Sequence, residues 1–349
     1  METLIKKIDS NNIDMDIIKE FGKMLKDGKT VIFPTETVYG LGANALDENA
    51  AAKIYEAKGR PSDNPLLVHV SDIEDVDELV EKVDDKAKLL MEKFWPGPLT
   101  ILFKKKPIIP DRTSGGLDTV AIRMPSDEVA RKLIRASGVP IAAPSANISG
   151  KPSPTKAEHI IKDMEGRVDG ILIGGECNFG VESTIVDFSG EYPMVLRPGC
   201  ITLEMLSEVL GKVEIDPSIQ NKDDNIHAKA PGMKYKHYSP NAEVFIVSGS
   251  QDNKIKKINE LIDENSKNGY KTGVLCMKMN SSKYNAKTFE LGNSYEEAAH
   301  KLFDELIKLD EEGIDIAYAE SFDESGVGVA IMNRLKKSAG YRIINADNK

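Results

Sequence analysis

Residues 30–42 read Thr-Val-Ile-Phe-Pro-Thr-Glu-Thr-Val-Tyr-Gly-Leu-Gly. The apolar run Thr30–Phe33 predicts a short buried strand, and Pro34 breaks it. Behind the proline stand the hydroxyls of Thr35 and Thr37 and the phenol of Tyr39. Gly40 and Gly42 there permit close backbone approach or positive φ. Polar groups crowded at a strand end mark either a turn or a ligand loop. The same grammar, a short strand running into a polar loop, returns along the next 170 residues or so and sets the fold class.

Upstream, the spacing of Ile17, Ile18, Phe21, Met24 and Leu25 predicts a helix over 14–27, stopped by Gly28. Downstream, Asp47 is placed to cap a helix running through 50–58. Strands are predicted at 66–70, 99–104, 120–124, 140–143, 170–173, 183–188 and 194–196. Helices are predicted at 72–94 (acidic), 128–137 capped by Ser126, 157–163 capped by Thr155, and 203–210 capped by Thr202. The strands are too irregularly spaced for a repeated βαβ ladder. The expectation is an α/β domain over 1–211 built on an open, twisted, mixed sheet.

Residues 212–242 change character. Pro217, Pro231, Gly232 and Pro240 interrupt a stretch with little apolar periodicity, which reads as a linker. It ends in Pro-Gly-Met-Lys-Tyr-Lys-His-Tyr-Ser-Pro, residues 231–240. This segment is either a solvated linker or one that folds over a site and closes it. From 243 to 349 strands at 244–247, 273–277 and 316–319 alternate with helices at 255–265, 295–309 and 327–338. That alternation predicts a small doubly wound α/β domain. It has neither a GxGxxG nor a Walker A motif, so a nucleotide site there has little support.

The bulk numbers bound the function. The chain has 349 residues, so two domains are expected, and 40% hydrophobic with 29% charged residues fits a globular protein. A net charge of −10 argues against a broad non-specific nucleic-acid surface but allows a local basic cavity. The cysteines, Cys177, Cys200 and Cys276, are odd in number and widely spaced, which points to a reducing cytoplasm rather than a disulfide framework. The five histidines form no HExxH or Cys/His cluster, so no metal cluster is expected. No signal-peptide pattern opens the chain, and no run of about 18 apolar residues predicts a membrane span.

Four constellations could carry chemistry. The first is the 34–42 loop. The second is Lys58-Gly-Arg-Pro-Ser-Asp-Asn64 at a helix end. There Lys58 offers a point charge and Arg60 a bidentate fork, with Ser62 and Asn64 beside them. Helix-dipole complementation would explain the two cations equally well. His69, in the following strand, reads on its own as a satisfied structural residue. The third is Ala143-Pro-Ser-Ala-Asn-Ile-Ser-Gly-Lys-Pro-Ser153, a turn dense enough in small polar groups to form an anion nest. The fourth joins Thr119 and Arg123 on one strand with Ser183, Thr184 and Arg197. A buried Arg123 would need an anionic partner. Trp95-Pro-Gly-Pro98 reads as a packing and turn element. No nucleophile triad or paired-carboxylate motif stands out. The chemistry implied is positioning and charge neutralisation of an anionic substrate, as in nucleotidyl transfer.

Taken together, Pro-Thr-Glu-Thr-Val-Tyr-Gly-Leu, Lys58-Gly-Arg60 with Ser62 and Asn64, Pro-Ser-Ala-Asn-x-Ser-Gly and Glu-Ser-Thr closely resemble the Sua5/YciO/YrdC family. The 231–240 segment and the second domain resemble its longer, Sua5-type members. The resemblance covers essentially the whole chain. It implies a cytoplasmic L-threonylcarbamoyladenylate synthase. L-threonine, bicarbonate and ATP, the last with Mg²⁺ carried on its phosphates, would give threonylcarbamoyl-AMP and pyrophosphate. A separate transferase system would then place the threonylcarbamoyl group on an adenosine of tRNA. By the same resemblance, L-threonine would lie near Thr35, His69, Arg123, Ala143 and Ser183. ATP would lie near Lys58, Ser62, Thr119, Ser145, Ser153 and Arg197, under a linker tyrosine. Tyr235 is the choice for that tyrosine, with Tyr238 the alternative. Lys58 and Arg60 would be the catalytic cations. Two other readings remain open at this point. One is an RNA-binding module using the family's basic cavity, which the acidic net charge opposes. The other is a carbamoyl-adenylate former of hydrogenase maturation, which normally carries zinc-finger cysteines that this chain lacks.

Overall fold

A computed structural model of the chain describes residues 2–219, 229–231, 233 and 237–347. The chain divides into two compact units, Met1–Ser149 with Ser153–Lys234 and Gly150–Pro152 with Tyr235–Lys349.

The first unit is built on β1 (Leu4–Lys7), β2 (Val31–Phe33), β3 (Gly40–Asn44), β4 (Leu67–His69), β5 (Leu99–Lys104), β6 (Thr119–Arg123), β7 (Ile141–Ala142), β8 (Gly170–Ile173), β9 (Thr184–Asp187), β10 (Met194–Arg197) and β11 (Glu214–Ile215). They form one eleven-stranded sheet in the order β1-β8-β2-β3-β7-β4-β6-β5-β9-β10-β11. Parallel pairs (β4 with β6, β5 with β9) sit beside antiparallel ones (β2 with β3, β5 with β6), so the sheet is mixed as the strand spacing predicted. Its helices are α1 (Met15–Lys26), α2 (Glu48–Lys58), α3 (Asp75–Leu79), α4 (Asp85–Phe94), α5 (Asp111–Ser114), α6 (Glu128–Ser137), α7 (Ala157–Met164) and α8 (Leu203–Leu210).

Strand period places alternate residues on opposite faces. Val68, Ile101, Phe103, Val120, Ile122 and Val186 point to one face, where they bury against Ala50, Ile54, Leu90, Met91, Ile160 and Leu206 of the covering helices. The other face has two halves. Under α1 and α6, Val31, Phe33, Ile141 and Leu172 pack against Phe21, Leu25, Val129 and Leu133. Beyond those helices, Leu67, Leu102, Ala121, Ile185 and Leu196 are covered instead by Ala230, with Met233 packed alongside. The site lies on this second half, where helices give way to a chain segment from after β11.

Several local expectations are corrected. The single acidic helix at 72–94 is two helices, because Val80 leaves helical conformation and bridges Lys105 between them. Asp127, not Ser126, caps α6, its Oδ1 accepting from the Ala130 N–H at 2.9 Å. Thr155 caps nothing, since α7 starts after Lys156 with no side-chain cap. The loop expected at 34–42 gives way to a strand at Gly40–Asn44. Gly42 is required there by close approach, because a Cβ would sit 2.7 Å from Phe33 and 2.8 Å from Ile141. The proposed linker contains strand β11, paired with β10. The caps at Asp47 and Thr202 form as expected.

In the second unit β12 (Glu243–Ser248), β13 (Thr272–Cys276), β14 (Lys287–Glu290), β15 (Ile316–Glu320) and β16 (Ile343–Asn345) form a parallel sheet ordered β14-β13-β15-β12-β16. The helices are α9 (Gln251–Lys267), α10 (Tyr295–Glu311) and α11 (Gly328–Ser338). Ile258 and Ile262 of α9 pack with Val247, Val274 and Tyr318 on one face of the sheet. The strand β14 and the edge strand β16 were not foreseen.

Candidate active site

The register of the sheet assembles the site. Pairing of β4 with β6 sets His69 beside Arg123, and pairing of β5 with β6 sets Thr100 on its other side. All three end up on the half of the sheet face that Ala230 covers. Arg123 is 3% exposed, and the anionic partner that its burial demands is Glu36, also 3% exposed, with Nη2 and Oε1 2.8 Å apart. That ion pair is close without hydrogen-bond alignment. Among the described residues, neither Glu36 carboxylate oxygen, nor Arg123 Nε or Nη2, nor His69 Nδ1 has a hydrogen-bond partner. Burial, and then the Arg123 charge, hold His69 down to about 3, against a hydrogen bond with the Ile141 backbone. The imidazole is therefore neutral across the physiological range. Phe33 meets its ring edge-on.

Thr35 is buried and folds its own loop, its Oγ1 donating to Val38 O at 2.6 Å. Behind it the buried Cys177 thiol is pushed up by burial and then by the charges of Asp127 and Glu36. Asp127 itself is raised to about 6, first by burial and further by Glu36. Ala143 closes this end, with its N–H given to Leu67 O at 2.8 Å.

On the far side of Arg123 a chain of polar groups runs outward. The Thr100 and Ser183 hydroxyls are 2.7 Å apart, and Arg197 donates to Ser183 through Nη2 (3.1 Å to Oγ) and Nε (3.0 Å to the carbonyl). Arg197 Nη1 also reaches Pro231 O at 3.4 Å, and Lys229 pairs with the buried Asp187 at 3.2 Å.

The second cluster surrounds Lys58, the last residue of α2, where Gly59 turns the chain in left-handed conformation. Lys58 is 2% exposed, and its Nζ donates at 2.5 Å to the carbonyls of both Ser145 and Asn147. Burial, then the neighbouring Arg60, push its amine down, while Glu182 opposes them. Ser145 Oγ donates to Asn147 Oδ1 at 2.5 Å, and Ser153 Oγ to Glu182 Oε1 at 2.9 Å. Lys58 thus ties the helix end to the 143–153 loop. Arg60 Nη2 donates to Pro65 O at 3.0 Å, and Ser62 is exposed on the adjoining turn.

The fold therefore gathers Lys58 with Ser145, Arg123 with His69, and Ser183 with Arg197. Thr119 starts the strand that Arg123 ends, about 13 Å away along it. Tyr235 lies outside the described residues. The alternative, Tyr238, is 5% exposed and is already engaged in the second unit, its ring 5.0 Å from that of Phe303. Trp95 is buried, its Nε1 donating to Leu99 O at 2.7 Å, as a packing element should be.

Sequence reasoning missed Glu36, Thr100, Asp127 and Glu182. Thr100 carried a signal, as the lone hydroxyl in Leu-Thr-Ile-Leu-Phe. Glu36 and Glu182 sat inside motifs already quoted, but nothing in their spacing said that they would be buried.

Comparison with known proteins shows the family and the fold. Residues 23–199 match the Sua5/YciO/YrdC family model, described as telomere recombination, and residues 201–340 match the model described as threonylcarbamoyl-AMP synthase, C-terminal domain. The threonylcarbamoyl-AMP synthase of Pyrococcus abyssi is 50% identical over 92% of this chain and 93% of its own. That of Bacillus subtilis is 48% identical over 94% of each. The crystal structure of P. abyssi Sua5 complexed with L-threonine superposes with a TM-score of 0.94 at 48% identity, covering 98% of this chain and 99% of that one.

Proposed function

Since this chain belongs to the Sua5/YciO/YrdC family and carries the threonylcarbamoyl-AMP synthase C-terminal domain, we propose that it is itself an L-threonylcarbamoyladenylate synthase. The observation that carries this reading is likeness along the whole chain to synthases of that name, one of which has been crystallised with L-threonine. The reaction joins L-threonine, bicarbonate and ATP into threonylcarbamoyl-AMP and pyrophosphate. A separate transferase acting on tRNA would consume the product in the cytoplasm.

In our reading Thr35, His69, Arg123, Ala143 and Ser183 line the threonine end. Lys58, Ser62, Thr119, Ser145, Ser153 and Arg197 line the ATP end. The neutral His69 exchanges hydrogen bonds without adding charge, and Arg123 supplies a fork for a carboxylate. The threonine ammonium first loses a proton; the free amine then adds to CO₂, or to bicarbonate with loss of water, and the resulting carbamate oxygen displaces pyrophosphate from the α-phosphorus. No side chain needs to become a covalent intermediate. Lys58, held by two carbonyls, fixes the 143–153 loop and lends positive field there with Arg60 and Arg197. Mg²⁺ carried on the phosphates would neutralise further charge at that end. The segment 212–242, of which 220–228, 232 and 234–236 lie outside the described residues, would act as the lid. This is supported by full burial of Ala230 among Leu67, Ala121 and Leu196, and by the hydrogen bond from Arg197 to Pro231.

The test is incubation with ATP, Mg²⁺, bicarbonate and labelled threonine, with detection of threonylcarbamoyl-AMP. Pyrophosphate release that continues undiminished without threonine would refute the assignment.

A further inference from the structure

Among the described residues, neither carboxylate oxygen of the buried Glu36 has a hydrogen-bond partner, and we infer that this carboxylate receives the α-ammonium group of the amino-acid substrate. Glu36 and Arg123 would then form one device that recognises a zwitterion. The inference rests on the synthase reading above and goes beyond the residues assigned there.

The geometry begins with the loop. The Glu36 carbonyl accepts from the Phe179 N–H at 2.9 Å, which fixes the backbone between β2 and β3. The side chain is 3% exposed, and its Oε1 lies 2.8 Å from Arg123 Nη2. A carboxylate has about four acceptor sites. Here both oxygens lack an aligned hydrogen bond, although water hardly reaches them. Such a group is costly to keep buried, and natural cores rarely retain one without use.

The neighbours make the use specific. Among the described residues, Arg123 Nε and Nη2 and His69 Nδ1 have no hydrogen-bond partners. The cluster thus offers an acceptor anion, a donor cation and a neutral imidazole nitrogen, set side by side by the β4–β6 register and the Glu36–Arg123 pair. A β-hydroxy α-amino acid carries the complement of each: an ammonium, a carboxylate and a hydroxyl. The half-buried carboxylate of Asp127 adds a second negative charge near Glu36, so Arg123 alone does not balance the cluster. A zwitterion adds no net charge and sets its ammonium against that local excess, whereas a simple carboxylate anion would deepen it.

A plain structural role would look different. If Glu36 only neutralised Arg123, its loss would weaken amino acids and their hydroxy analogues alike. If it receives the ammonium, its loss removes the preference between them. The experiment compares wild type with Glu36→Gln, using L-threonine and the analogue in which a hydroxyl replaces the amino group. In the variant the KM for L-threonine should rise on the order of 10- to 100-fold, the loss expected for one hydrogen bond to a charged group. The KM for ATP should stay within about twofold, since that end is not touched. In wild type the analogue should compete at least about 10-fold more weakly than L-threonine, and in Glu36→Gln the two should converge. An unchanged KM for L-threonine, or a preference for the ammonium that survives the substitution, overturns the inference. Should the variant fail to fold, the wild-type arm decides: equal competition by the analogue overturns the inference, and weaker competition supports it. If wild type made no threonylcarbamoyl-AMP, the synthase reading would fail. If wild type makes it and the variant's discrimination is intact, only the ammonium site fails.

Discussion

Two carboxylates in this protein are almost equally buried and have opposite fates. Glu36, in the catalytic unit, is 3% exposed and Glu320, in the C-terminal unit, is 2% exposed. Glu320 ends β15 beside the end of β13. From β13 the chain goes to one side of the sheet, to β14. From β15 it goes to the other, to β16. Open α/β sheets usually bind ligands in the crevice at such a switch point. Here the position is filled by the protein itself. Glu320 accepts from Gln251 Nε2 (2.9 Å), the Met277 N–H (2.9 Å), Asn280 Nδ2 (2.8 Å) and Tyr284 OH (2.5 Å). The Tyr284 phenol is pushed up, by burial first and by Glu320 next. Glu36 has one imperfectly aligned ion pair and a second carboxylate nearby. A saturated buried charge is scaffold, whereas an unsaturated one held in place by the fold is poised for a ligand.

The widest separation between the two regions should come from Arg123→Met. It strands Glu36 as a buried, uncompensated anion and removes the carboxylate fork. Losing a desolvated, hydrogen-bonded charge contact to a bound partner costs about 2–5 kcal/mol of binding, so kcat/KM for L-threonine should fall on the order of 10³-fold. Steady-state kinetics with varied threonine at saturating ATP would measure it, and a loss below tenfold would contradict the site. Lys58→Ala should come next. Its Nζ is replaced by a void under the Ser145 and Asn147 carbonyls, and pyrophosphate release should drop by about 10²-fold. Near-wild-type turnover would remove Lys58 from the machinery. Glu320→Ala should do the reverse of Arg123→Met. It orphans four donors and should destabilise the C-terminal unit by about 3 kcal/mol in denaturant unfolding, with the KM for threonine unaltered. A change in threonine KM without a loss of stability would reverse the comparison.

How much of this was legible in the sequence depends on the range of the interaction involved. Caps at Asp47 and Thr202 act within a helical turn, and both were read correctly. The mixed sheet and the parallel second sheet were legible because apolar strands and amphipathic helices differ in period. Residues 40–44 were not, because Gly-Leu-Gly lacks strand propensity. That strand is held by pairing with β2 and β7, and Gly42 lets Phe33 and Ile141 pack over it. The resemblance named Thr35, His69, Arg123 and Ser183, and the need of Arg123 for an anion was foreseen from its apolar strand. Which anion it would be was not foreseen. Glu36 and Arg123 lie 87 positions apart, and only the order of the strands brings them together. Glu182 was hidden in the same way, beside Ser153 across 29 positions.

The smallest expected effect probes the field around Glu36 without touching it. Asp127 is raised from 3.8 to about 6 by burial and by Glu36. A carboxyl whose folded value is raised holds its proton more tightly in the folded state. Its contribution to stability is complete below about pH 4 and is lost as pH rises through about 6. Above that pH wild type carries the cost of a second ionised carboxylate beside Glu36. Asp127→Asn removes the charge and keeps an amide oxygen able to accept from the Ala130 N–H, so the α6 cap survives. The variant should therefore be more stable than wild type at pH 7.5 by about 1 kcal/mol, the full shift being discounted for partial solvent access. That advantage should shrink through pH 6 and vanish near pH 4. Thermal unfolding at several pH values would read it. The same substitution should weaken L-threonine binding about two- to fivefold, because the ammonium then meets one anion fewer at a distance set by the partly screened field. Stability and affinity moving in opposite directions is the signature of charge kept for a ligand. At Glu320, where every donor is already in place, removing charge should lower stability and leave affinity alone.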